Sequence, residues 1–103
     1  MLIIGGIYKC KTDSYIVIIE KVNYVYCYEI LTNTLGKDSI NNEEIRDILM
    51  DQINYGLQKQ HNFFFRGKEK NLEEIVDGYL GQITDEQRFN LSIELSYVID
   101  KCQ

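Results

Sequence analysis

The 103-residue chain has no proline, a single histidine and no stretch approaching the roughly 18 apolar residues that a membrane-crossing helix requires. No membrane association is therefore expected. The first residues, Met1 to Gly6, are apolar but lack a basic leader and run straight into strand-like alternation, so no export signal is read and the expected location is cytoplasmic. Three cysteines, Cys10, Cys27 and Cys102, are odd in number, far apart and without a CxxC pair, which argues against a disulfide framework or a zinc site and for buried, reduced thiols. One histidine cannot build a His-based metal cluster, and Gly5-Gly6 lacks the pattern of a phosphate loop, so neither metal nor cofactor is expected. An excess of basic charge is also missing. The net charge of −5 divides into −2 over residues 1–60 (six cations, eight acids) and −3 over residues 61–103 (five cations, eight acids). A protein that lives on phosphate contacts concentrates Lys and Arg on one face, so the balance argues against nucleic acid as the main partner and permits a basic protein.

What is present is the composition of an ordinary globular protein, 45% hydrophobic and 26% charged, in a length that suits one domain spanning residues 1–103. From Leu2 to Leu31, β-branched and aromatic residues are dense in three runs, Leu2 to Lys11, Tyr15 to Glu20 and Tyr24 to Leu31. The separators Thr12-Asp13-Ser14 and Lys21-Val22-Asn23 suit hairpin turns, so the runs should pair as an antiparallel meander over residues 2–31. In the third run Tyr24, Tyr26, Tyr28 and Ile30 share one face, and Val25, Cys27, Glu29 and Leu31 the other. Both faces are apolar enough that the sheet should curl into a small barrel or be covered by helices.

After a polar linker, Thr32 to Ile40, the period changes. Ile45, Ile48, Leu49, Ile53 and Leu57 fall on one stripe of a helix over about residues 43–58, opened by an Asn41/Glu44 capping box. Phe63, Phe64 and Phe65 fit a short inner strand over about 63–66 that closes at Gly67. Leu72, Ile75, Val76, Tyr79 and Leu80 have helical spacing, opened by Asn71/Glu74 and ended by Gly81, which gives a helix over about 72–80. Thr84 and Gln87 open a last helix over about 85–101. That helix carries two apolar stripes, a wider one of Leu91, Leu95, Val98, Ile99 and Cys102 and a separate strip of Phe89, Ile93 and Tyr97. One should face the core; the other is covered by the same chain or by a dimer or partner interface. The expected class is α+β, a small antiparallel sheet with about three amphipathic helices.

Residues 63–96, with Gly81, Ile83, Thr84, Asp85 and Glu86 at the step before the last helix, resemble the tail of the PemK/MazF-like toxin family. The opening Gly5-Gly6-Ile7-Tyr8 and the run Tyr15 to Ile19 are similar to that family's first strands. The resemblance implies an SH3-like barrel and a metal-independent endoribonuclease of a toxin–antitoxin pair. The family's Arg-Pro element has no counterpart in Asp13-Ser14-Tyr15, and its Ser or Thr after the third strand is matched only loosely by Thr32 or Thr34.

Two functions are carried forward. In a ribonuclease an Arg stabilises the pentacoordinate phosphate while a base takes the 2′-hydroxyl proton, and His61 and Arg66 are the candidate pair. They lie in a locally basic stretch with Lys59, Lys68, Lys70 and three Phe, a mixture suited to stacking bases and holding phosphates. The alternative is a noncatalytic acidic binding or inhibitory protein. Its carboxylates Glu43, Glu44, Asp47 and Asp51, with Glu69, Glu73, Glu74 and Asp77 further on, would meet the Arg and Lys of a basic nucleic-acid-handling protein. Phe89, Ile93 and Tyr97 would add apolar contact, or join two copies as a homodimer. Small size, acidity and the abundance of Asn, Ile and Lys suit an AT-rich phage or mobile element of a bacterium. Charge and the missing family residues place the binding protein ahead of the ribonuclease.

Overall fold

The computed structural model describes residues 1–31, 41–59 and 62–102, with residues 98–102 as backbone only. The expected linker Thr32 to Ile40, His61, and the side chains of Val98, Ile99 and Cys102 lie outside the described residues.

Five strands, β1 (Gly6–Cys10), β2 (Tyr15–Val22), β3 (Val25–Leu31), β4 (Phe64–Lys68) and β5 (Val76–Gln82), form one antiparallel sheet in the order β4-β3-β2-β1-β5. The helices are α1 (Asn42–Lys59), α2 (Glu69–Ile75) and α3 (Asp85–Cys102). The class is α+β. The sheet is open, with β4 and β5 at opposite edges, so the SH3-like barrel is not formed. Helices cover the meander instead, α1 and α3 on one face and α2 on the other, the second of the two ways its apolar faces can leave water.

The meander arises where the residues allow its turns. Asp13 and Asn23 take left-handed backbone (φ 61° and 57°), a conformation that Asp and Asn tolerate better than other side-chain-bearing residues. Around the first turn the Ser14 carbonyl accepts from Cys10 N–H at 2.8 Å and the Cys10 carbonyl from Asp13 N–H at 3.0 Å. The second turn is tighter than expected: Lys21 and Val22 stay in β2, and Val22 pairs with Val25 across Asn23-Tyr24. β1 begins only at Gly6. The residues before it fold back, with Leu2 N–H donating to the Tyr26 hydroxyl (3.0 Å) and Ile3 N–H to that of Tyr8 (2.7 Å). Gly6 permits this, since a Cβ there would stand 2.8 Å from the Tyr8 ring and 2.9 Å from the Ile3 carbonyl.

Alternation along the strands builds a core on each face. Ile7, Tyr15, Val17, Ile19, Cys27 and Leu31 meet Leu49 and Ile53 of α1, Ile83, and Leu91 and Leu95 of α3. On the other face Tyr8, Cys10, Ile16, Ile18 and Tyr26 are closed by Leu72 of α2 and by Leu2 and Ile4. Cys10 and Cys27 are buried free thiols.

Both long helices start on side-chain caps. Asn41 Oδ1 accepts from Glu44 N–H (2.9 Å), and Thr84 Oγ1 from Gln87 N–H (3.1 Å) while Gln87 Oε1 accepts from Thr84 N–H (3.0 Å). Gln87 is buried and also ties the helices together, donating to the Met50 carbonyl (3.3 Å) and to Asn54 Oδ1 (3.0 Å).

The helix expected over 72–80 is replaced. α2 starts earlier, at Glu69, without a side-chain cap, so Asn71/Glu74 is not its opening box; it ends at Ile75. Residues 76–82 become β5 on the free edge of β1. Register shifts between Ile7 and Tyr8 and between Lys9 and Cys10 break the two-residue period, so Leu80 packs in one core and Val76 in the other. Gly81 is therefore a strand residue, not a helix stop. Its φ of 153° favours glycine, and a Cβ would lie within 2.4 Å of Arg46 Cδ. β4 is an edge strand, not the expected inner one: Phe64 packs on the core, but Phe65 stays exposed, stacked on Tyr28 at 5.9 Å between ring centroids.

Candidate functional site

α1 and α3 lie together on one face of the sheet and turn Leu49, Ile53, Leu91 and Leu95 toward it. The four-residue spacing of Glu43, Asp47 and Asp51, with Glu44 beside the first, sets these carboxylates in an exposed row on α1 whose last member, Asp51, also borders a pocket toward β3. Among the described residues the row has one cation, Arg46, whose guanidinium is 3.4 Å from Asp47. On α3 the same spacing turns Phe89, Ile93 and Tyr97 outward, 64%, 52% and 58% exposed. The second apolar strip of the last helix is thus the exposed one. Acid row and apolar strip belong to adjacent helices of one layer.

Below the end of the acid row a pocket of about 580 Å³ opens between β3 and α1, lined by Glu29, Ile30, Ile48, Asp51, Tyr55 and Phe63 among others. Glu29 is in register with Cys27 and Leu31 on the covered face of β3, and only 6% of it is exposed. Asn62 Nδ2 donates to both of its carboxylate oxygens, each at 3.1 Å. Burial pushes this carboxyl up to about 7, against the opposing effect of the Asn62 hydrogen bonds. The arrangement depends on Gly56, where a Cβ would stand 2.7 Å from Asn62 Nδ2. Sequence reasoning placed Glu29 on this face without marking it. The available signal was a carboxylate in phase with core residues.

A second cleft, of about 500 Å³, lies at the tip of the β2–β3 hairpin and is lined by Glu20, Val22, Cys27, Arg66 and Lys68 among others. Arg66, on β4, is exposed and lies opposite Cys27. Burial raises the Cys27 thiol above its ordinary value, Glu20 adds to the rise, and Arg66 opposes it. The proposed partner of Arg66, His61, falls outside the described residues. Glu69, Glu73, Glu74 and Asp77 belong to α2 and β5, apart from the α1 row. Glu69 is joined to Lys21 at 2.9 Å.

No protein-family model, curated protein or solved structure matches this chain. The likeness to PemK/MazF-like toxins rests on the residues quoted above. Among the described residues no three His, Cys, Asp or Glu side chains group as metal ligands, and no helix is long and apolar enough to cross a membrane.

Proposed function

We propose that the protein is a noncatalytic binding module that docks the α1–α3 layer onto a basic, nucleic-acid-handling protein. The observation that carries this is the exposed, scarcely neutralised carboxylate row of α1 beside the exposed Phe89–Ile93 strip of α3. Carboxylates spaced along a helix offer the Arg and Lys of such a partner a substitute for phosphates, and opposite potentials speed encounter. The apolar strip supplies the desolvated contact that charge alone does not. An inhibitor working by occupation of a nucleic-acid site needs nothing more.

The test is affinity capture from a bacterial host extract, followed by titration of the purified captured protein against wild type, Asp47→Lys/Asp51→Lys and Ile93→Glu. The reading expects a basic protein whose binding falls about tenfold or more with either variant and weakens with added salt. A captured protein that binds all three alike, or none captured, overturns it.

The hairpin-tip cleft favours a second reading, RNA cleavage, because Arg66 and Lys68 line it together with Glu20. There Arg66 would stabilise the phosphate and Glu20, or His61, would take the 2′-hydroxyl proton. Single-stranded RNA incubated in EDTA, cut by wild type and spared by Arg66→Ala, would establish it; uncut RNA removes it.

A further inference from the structure

We propose that the pocket between β3 and α1 receives one arginine side chain of the basic partner, its guanidinium held by Glu29 and Asp51 and its stem laid against Leu31 and Ile48. This rests on the binding reading above and names the anchor of that interface.

The pocket, about 580 Å³, falls within the range of roughly 300–1,000 Å³ typical of sites for small groups. Its chemistry is one-sided. Two carboxylates line it, and among the described residues lining it there is no lysine or arginine. Elsewhere around Glu29 the facing side chains among the described residues are uncharged: Val17 on β2, Phe64 on β4, and Asn62; from α1 the titratable groups in the pocket are Asp51 and Tyr55. A buried carboxylate with a single amide for support is costly, and an incoming cation repays part of that cost. Asn62 Nδ2 serves Glu29, while Asn62 Oδ1 is buried with no hydrogen-bond partner among the described residues.

A guanidinium fits this set better than an ammonium. It offers five N–H donors in a planar fork, enough for two carboxylates, whereas an ammonium offers three around a compact, strongly hydrated point. Tyr55 and Phe63, 62% and 67% exposed, stand at the pocket as aromatic surfaces on which a guanidinium stacks. Asp51 ends the acid row of α1, so an arginine seated here continues the charge pairing of the layer.

The experiment is an NMR titration of the full chain with N-acetyl-arginine methylamide and, separately, its lysine counterpart, at low salt near pH 8. Saturable shifts at Glu29, Asp51, Tyr55 and Phe63 are expected, with arginine bound about fivefold or more tighter than lysine. Glu29→Gln and Tyr55→Ala should each weaken arginine by about fivefold or more, while Glu86→Gln, on the first turn of α3, leaves it unchanged. Affinity should rise toward neutral pH as Glu29 ionises, and Glu29→Gln should remove that part of the rise. Arginine and lysine bound alike, shifts absent from the pocket, or a Glu29→Gln variant that binds as wild type would overturn the assignment. A partner that docks on the helix layer while the arginine probe leaves the pocket untouched ends this inference and keeps the binding reading; a pocket that takes arginine in a protein without a partner does the reverse.

Discussion

At the scale of single residues, Glu29 sets a dependence of stability on pH. Unfolded, its carboxyl titrates at about 4.5; folded, at about 7. Below the lower value it is protonated in both states and costs nothing. Between the two, the unfolded chain has released the proton that the folded chain still holds, so this group lowers stability as pH rises, and above about 7 the loss is complete and constant. The loss is on the order of 3 kcal/mol. Glu29→Gln should therefore be more stable than wild type near pH 8, by on the order of 1–3 kcal/mol, and nearly equal to it near pH 4. Urea unfolding of both proteins at the two pH values checks this, and equal stability near pH 8 would contradict it. The pattern of β3 contains half of this site: Glu29 is visibly in phase with Cys27 and Leu31. Asn62, which arrives from 33 residues further along, is not visible, because nothing local to it announces a contact with β3.

At the scale of elements, Gln87 ties α1 to α3 by hydrogen bonds on top of their shared apolar core. Gln87 completes the cap of its own helix and reaches Met50 and Asn54 on the other. Thr84→Ala removes the cap acceptor and the hydroxyl's donation to Gln87 Oε1 (3.2 Å) and should cost about 1 kcal/mol. Gln87→Ala also leaves polar groups unpaired in a buried place and should cost on the order of 2–3 kcal/mol. The two share a partner, so the double variant should lose less than the sum of the two losses, which thermal unfolding of the set will show. The same elements explain what could be read in advance. Asn41/Glu44 and Thr84/Gln87 are signals between residues three apart, and both caps form. Asn71/Glu74 has the same letters, yet α2 starts at Glu69 and ends at Ile75. Val76 to Gln82 could not be read as a strand. Its register shifts against β1 disguise the two-residue period, and its partner strand lies some seventy residues upstream, where pairing outweighs local spacing.

At the scale of the whole molecule, a net charge of −5 and an exposed apolar strip make different demands on an occupant. A second copy would match the strip but bring the same row of carboxylates toward its own, and like charges across an interface are costly. A basic partner satisfies both. The free protein should accordingly sediment as a monomer at physiological salt. A dimer that Ile93→Glu dissolves would instead give the strip to self-association. The two-faced core was legible from the apolar character of both sides of the meander, but its closure was not. Three strands are compatible with a barrel wall or an open sheet, and the choice is made by β4 and β5 taking opposite edges.

The position of β5 also governs the order in which the chain can be finished during synthesis. β1, β2 and β3 are complete once residue 31 has emerged, but the outer edge of β1 stays bare until residues 76–82 follow. For most of its emergence from the ribosome the nascent chain therefore carries an open strand edge beside Ile7 and Tyr8, a template on which another unfinished copy can pair. Productive folding is then a race between translation of the last third and encounter with a neighbour. A pause after residue 75 would lengthen that exposure, and a stop there would make it permanent.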